Sequence, residues 1–222
     1  MRKVLELLFP PTCLLCAAAE SDLCISCRRR INVRRYRGQI DGFDFSAGAI
    51  YDDDISQLIL MAKEQNISAA RNVLADLLVE AYMELVSQDK SAHPLGLIPI
   101  PSSQRANRMR GYKHSTLLSQ RLRNQLIQTL GVDVQVLDLL RVNRKISDQS
   151  GLNKKARIAN LDGAYSYSRG GDGALVAGRN LYLVDDLLTT GSSMLEALRC
   201  LRAANIKPLG AISAGVSPHL IS

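Results

Sequence analysis

Residues 181–193 read LYLVDDLLTTGSS, and their types and spacing suit one kind of ligand. Leu181, Tyr182, Leu183 and Val184 form a near-continuous apolar run, the pattern of a strand buried on both faces. Asp185 and Asp186 end it abruptly. Two adjacent carboxylates at the open end of a buried strand are costly unless they meet a ligand, a cation or hydrogen-bond donors. Leu188, Thr189, Thr190, Gly191, Ser192 and Ser193 follow. Hydroxyls donate to phosphate oxygens, and Gly191 lets the backbone come close to an anion. A helix starting near Ser192 turns its free N–H groups and positive dipole end to the same place. Carboxylates for hydroxyls on one side and an anion nest on the other fit a sugar phosphate. The alternative is an ordinary strand–turn–helix link with Ser and Thr as caps, but capping does not call for the acid pair and TTGSS together. Gly173 and Gly178 imitate a P-loop spacing without its Lys and Ser/Thr and precede a strand instead of following one. The GGDG stretch around them is expected to be a turn.

A second constellation is Cys13-x2-Cys16-x7-Cys24-x2-Cys27. Two closely spaced CxxC pairs can present four thiolates tetrahedrally to Zn2+. Disulfides are the competing reading and fit poorly without a convincing export signal. Four protein thiolates leave no open position for chemistry, so the metal is expected to be structural, and so small a segment depends on it to fold. Cys200 falls in an expected helix and reads as core filler.

The 222 residues suffice for one sizeable core plus a small appendage. No apolar run reaches the roughly 20 residues that span a bilayer. MRKVLELLF resembles the start of a signal peptide, but Glu6 and Pro10-Pro11 interrupt it, and a short amphipathic helix in a cytoplasmic protein is preferred. The net charge of +7 favours anionic partners. Arg28, Arg29, Arg30, Arg34, Arg35 and Arg37 crowd together, either as a solvated basic face or as a polyanion contact. Tyr36 alone among them is aromatic, so a base-stacking platform is poorly supported.

The elements that must position these residues alternate. Strands are expected at 45–51, 95–100, 132–137, 181–184 and 209–216, and helices at 53–63, 68–86, 115–130 and 192–204, with Gly131 as a stop. GQIDGFD at 38–44 reads as a boundary, dividing an element at 1–40 from a domain at 41–222. The alternation implies an α/β fold, a mostly parallel sheet flanked by helices, with ligands at the C-terminal strand ends.

On these residues the chain resembles a type I phosphoribosyltransferase, whose motif is a short apolar run, two acids, two spacers and TTG. IPIPSSQRANRMRGY at 98–112, RVNRKISDQSGLNKKARIANLDGAY at 141–165 and the four-cysteine element narrow the resemblance to the ComF family, also called GntX-like or competence protein F-like. The resemblance implies that Asp185 and Asp186 take the ribose hydroxyls of phosphoribosyl pyrophosphate (PRPP). It implies that Leu188 to Ser193 bind the 5′-phosphate. Ser102 and Ser103 would lie in the loop near pyrophosphate, with Arg105, Arg108 and Arg110 as nearby cations. Arg144 and Lys145 would neutralise the leaving pyrophosphate from a covering loop, and Mg2+ would be held largely by the substrate's oxygens. The family's RG[FY]NQ becomes RGYKH here, so Lys113 and His114 replace an amide pair.

Three activities follow from the resemblance. One is transfer of phosphoribose to an acceptor that no segment announces. The second is PRPP or nucleotide binding without turnover. The third is an accessory role with single-stranded DNA or DNA-uptake proteins, in which the arginine run contacts phosphates. Glutamine-dependent chemistry is not expected, because residue 2 is arginine rather than a nucleophilic Cys.

Overall fold

The computed structural model describes residues 12–19, 21–31, 35–87, 93–143, 163–168 and 173–221. The N-terminal stretch expected to be an amphipathic helix, together with Arg34, Arg144 and Lys145, lies outside the described residues. Strands β1 (Tyr36–Ile40), β2 (Phe43–Ile50), β3 (Leu95–Pro99), β4 (Val134–Val136), β7 (Asn180–Leu188) and β8 (Gly210–Val216) form one sheet in the order β1-β2-β8-β7-β3-β4. All neighbours are parallel except β1, which pairs antiparallel with β2. The glycines at the expected join therefore lie in a hairpin, with Asp41 and Gly42 at positive φ in its turn. β5 (Leu140–Val142) and β6 (Tyr165–Tyr167) make a separate antiparallel pair.

Helices cover both faces. α2 (Asp53–Lys63), α3 (Ser68–Leu85) and α5 (His114–Leu130) pack one face, burying Leu58, Leu74, Leu78, Leu118 and Leu122 against Leu97, Tyr182, Val184 and Ile212. α7 (Ser192–Ala203) covers the other, where Met194, Ala197 and Leu201 meet Phe45, Ile98, Leu183 and Ala211. The helix ends are where sequence chemistry puts them. Asp52 caps α2 by accepting the Ile55 N–H at 2.9 Å, Asp53 and Asp54 fill its first turn, and Lys63 its last. α5 stops at Gly131. Two short helices, α4 (Gln104–Arg110) and α6 (Gly173–Val176), were not expected, and Gly173 opens the second instead of sitting in a turn. A small helix, α1 (Ile25–Arg30), starts inside the second CxxC pair, with Cys24 as its N-cap and Cys27 within it.

The order of the sheet explains where a ligand can sit. From β3 the chain moves outward to β4, and from β7 it moves to β8 on the opposite side. The connections therefore diverge between β3 and β7, and the crevice at such a switch point lies beyond the C-terminal strand ends. No helix among the described residues is long and apolar enough to cross a membrane.

Candidate functional site

The crevice is built from the ends of β3 and β7. Pro99 pairs with Val184, and the Ile100 N–H donates to the Val184 carbonyl at 2.9 Å, after which β3 departs. β7 does not stop at Val184, as the sequence suggests. It continues to Leu188, because β8 still pairs Ser213 with Asp185, Gly215 with Leu187 and Val216 with Leu188. The acid pair therefore lies inside a strand whose β3 side has just opened.

Strand alternation sends the two acids to opposite faces. Asp186 is buried on the α2/α5 face. Its Oδ2 accepts from Lys63 Nζ at 2.8 Å and stands 3.4 Å from His114 Nε2. Burial alone would raise this carboxyl, but the lysine charge and the imidazole outweigh it and hold it well below the ordinary carboxylate range. Asp185 is half-buried on the other face, beside Ser213, and its Oδ1 accepts the Asp186 N–H at 2.9 Å. Burial, then the neighbouring Asp186 charge, push its carboxyl well above the usual range. A group held this way gains most from new donors.

The cradle follows directly. Gly191 has φ +76°, and a Cβ there would come within 2.5 Å of Ile40 Cδ1, so glycine is required by conformation and by space. The N-cap Gly191 has no side chain to cap α7; the Ser192 N–H makes only a long 3.5 Å approach to Thr190 Oγ1, and a helix start of this kind can turn its N–H groups to an anion. Thr190 Oγ1 and Ser192 Oγ lie 2.9 Å apart beside them, and Leu188, Thr189 and Ser193 complete the turn.

The expected cations distribute unevenly. Ser103 caps α4 through the Ala106 N–H at 3.2 Å, and the Ser102 carbonyl accepts from Asn107 at 3.2 Å. Arg105 and Arg108 are exposed on α4. Arg110 instead pairs with Glu64 at 3.0 Å. Of the residues that depart from RG[FY]NQ, Lys113 turns outward to Asp138 at 2.7 Å, and His114 turns inward to Asp186. Sequence reasoning missed Lys63, and no local motif marks it. Tyr112 donates its hydroxyl to the Lys63 carbonyl at 2.7 Å. Tyr112→Phe is expected to cost about 1 kcal/mol, lowering the melting temperature by about 2–4 °C in a thermal melt.

In the N-terminal element the four cysteine sulfurs lie within 4.8 Å of one another, and all five cysteines are free thiols. A tetrahedron of sulfurs about 2.3 Å from Zn2+ has edges of about 3.8 Å. Cys16 and Cys24 Sγ are 3.6 Å apart, and the Cys24 and Cys27 amides each approach a cysteine sulfur at 3.5 Å. The donor set fits a thiophilic divalent cation. The arginine run beside it is largely engaged: Arg30 with Asp54 at 2.5 Å, Arg35 with Glu80 at 2.9 Å, Arg37 with Asp44 at 3.3 Å and Arg28 with Asp76 at 4.0 Å. These pairs tie the cysteine element to α2 and α3 and β1 to β2.

No protein-family model matches the chain. Among curated proteins it is similar to Competence protein F of Haemophilus influenzae, with 30% identity over 160 residues, 72% of this chain and 66% of that protein. The chain thus spans just under two thirds of that relative. Among solved structures it resembles the crystal structure of adenine phosphoribosyl transferase from Trypanosoma brucei in complex with AMP, pyrophosphate and ribose-5-phosphate. The TM-score is 0.39 and the identity 11%, over 88% of this chain and 81% of that one. That overlap is loose, and no residue correspondence is drawn from it. The mostly parallel sheet flanked by helices and the N-terminal cysteine cluster define an α/β protein with an appendage whose four sulfurs could hold a metal ion. In sequence the chain is similar to the competence protein F (ComF) family.

Proposed function

We propose that the chain binds PRPP in the crevice between β3 and β7 and transfers its phosphoribosyl group to an acceptor. The observation that carries this is the meeting of an acid pair with an uncapped helix start, entered through Gly191, at an opened strand edge. The acid pair serves the ribose, with Asp185 facing it and Asp186 behind, and residues 188–193 serve the 5′-phosphate. Ser102, Ser103, Arg105 and Arg108 border the pyrophosphate side, where negative charge grows as the C1–oxygen bond breaks. Arg144 and Lys145 would help to neutralise that charge from the segment following β5. Mg2+ bound by the substrate's phosphates would supply further charge neutralisation. The cysteine cluster holds structural Zn2+. The relative's name supports placing the protein in competence, the uptake or use of DNA by cytoplasmic machinery.

The test is a thermal melt with PRPP and Mg2+. Ligand at about 100 times its Kd should stabilise by about 2.7 kcal/mol, a rise of about 5–10 °C. The rise should vanish in the Asp185→Asn/Asp186→Asn double variant. Pyrophosphate release across a panel of bases and amines then reads turnover. No rise with PRPP, or an unchanged rise in the double variant, overturns the assignment.

A further inference from the structure

We infer that Lys63 is a positioning residue for the acid pair. From the last turn of α2 it fixes Asp186 on one face of the sheet, with the buried His114 beside it, and leaves Asp185 as the acid that meets a ligand's hydroxyls. For the identity of the ligand this rests on the function proposed above.

The two acids are indistinguishable in the sequence and have opposite surroundings. Lys63 Nζ reaches Asp186 Oδ2 across 123 residues of chain, with side-chain exposures of 28% and 8%. His114, 1% exposed, faces the same oxygen, and its Nδ1 has no hydrogen-bond partner among the described residues. One oxygen of Asp186 thus accepts from Lys63 and has His114 Nε2 within ion-pair distance, although neither ring nitrogen of His114 makes a hydrogen bond among the described residues, and a ligand hydroxyl gains little there. Among the described residues no cation forms an ion pair with Asp185, which is half-buried and keeps part of its surface open.

A lysine left to itself keeps its long stem mobile, so a fixed ammonium needs a fixed backbone. The end of α2 is held at several points. The Tyr112 hydroxyl donates to the Lys63 carbonyl at 2.7 Å, and Arg71 donates to the Ala62 carbonyl at 3.1 Å and to Asn66 Oδ1 at 2.9 Å. Arg110 binds Glu64 at 3.0 Å. The RGYKH segment therefore braces the helix that carries the lysine. The charged and titratable groups facing Asp186 are Lys63 from α2, His114 from α5 and Asp185 on its own strand, with Arg110 behind Lys63. Asp186 is held ionised by this cage, and its charge in turn disfavours a second charge on Asp185. Ligand hydroxyls supply to Asp185 the donors that Lys63 supplies to Asp186.

The experiment is a carboxyl 13C NMR titration of the full chain, with Asp186 assigned through Asp186→Asn, beside calorimetry with PRPP and Mg2+. In Lys63→Met the Asp186 midpoint should move toward neutral pH by at least about tenfold in proton concentration, and PRPP should bind about 10-fold more weakly. Lys63→Arg, which keeps the charge, should restore both. An Asp186 midpoint unmoved in Lys63→Met overturns the inference, as does unchanged PRPP affinity. A wild-type protein that binds no PRPP overturns the proposed function instead, and the NMR titration then decides alone whether Lys63 governs Asp186. The Lys63→Met/Asp186→Asn double variant guards against misfolding. It should melt above Lys63→Met, because both charges are gone, and additive losses overturn the pairing.

Discussion

Asp186→Asn is expected to lower the melting temperature of the ligand-free protein by about 10 °C, and Asp185→Asn to raise it by about 2–4 °C. The first follows from leaving Lys63 and His114 in a buried site without their anion. Breaking a buried pair from one side costs about 3 kcal/mol or more, and each kcal/mol moves a chain of this size by about 2–4 °C. The second follows from relieving a carboxylate that is buried beside a like charge, a stabilisation of about 1 kcal/mol of the kind seen when a functional group is removed from its site. Opposite signs from adjacent, chemically identical residues exclude a general effect of charge removal. Differential scanning calorimetry at neutral pH reads both.

The pH dependence has a definite sign. Asp185 titrates higher in the folded protein than in the unfolded chain, so the folded state binds its proton more tightly. Its stabilising contribution is complete below the ordinary carboxylate value of 3.8 and is lost as pH rises through the raised value. Asp186 is the reverse: its contribution is present above the ordinary value and is lost only in stronger acid. Acidifying from neutral toward 3.8 should therefore strengthen the ligand-free wild type through Asp185, and Asp185→Asn should flatten that part of the profile. A profile unchanged by Asp185→Asn contradicts the assignment.

Local chemistry was legible where local chemistry decides. The ends of α2 follow from Asp52, Asp53, Asp54 and Lys63, and Gly131 stops α5. The apolar runs of β3, β7 and β8 have no reading other than buried strands. What remained hidden depends on partners. β7 runs on through its acids because β8 continues to pair with it, which four apolar residues could not announce. In β1 the alternation of Tyr36, Gly38 and Ile40 with Arg37 and Gln39 is a strand pattern, masked by the arginines that suggested a basic face. Arg110 has the chemistry to meet an anion, and its pairing with Glu64 just beyond α2 is a long-range contact that no local pattern announces. No periodicity relates residue 63 to residue 186, so the cage around Asp186 is a property of the fold alone.

Removing the metal is expected to undo the N-terminal element while leaving the sheet folded. Four sulfurs within 4.8 Å cannot all ionise unaided. Although burial opposes it, backbone N–H groups bring the Cys13 thiol down to about 6, and burial with the neighbouring cysteines pushes Cys27 up to about 12. A divalent cation removes that conflict by taking all four as thiolates, and structural zinc contributes on the order of 10 kcal/mol in such small elements. The consequence reaches beyond residues 12–31. Cys13, Leu23, Cys24, Cys27 and Ile31 share one apolar cluster with Ile55, Leu58, Val73 and Leu77, and Arg28 and Arg30 hold Asp76 and Asp54 from the same element. Cys27→Ser, or a strong chelator, should release one zinc ion per chain by elemental analysis and open the cluster to proteolysis near residues 12–31. It should expose the α3 surface at Val73 and Leu77 to a hydrophobic dye. Cys200→Ser, on buried α7, should keep its metal. Wild-type protein purified without metal, or a Cys27→Ser variant as resistant to protease as wild type, would remove the cation from this account. The apolar cluster with α2 and α3 would then have to hold the element in place, because exposed arginine pairs of that kind contribute only about 0–1 kcal/mol each.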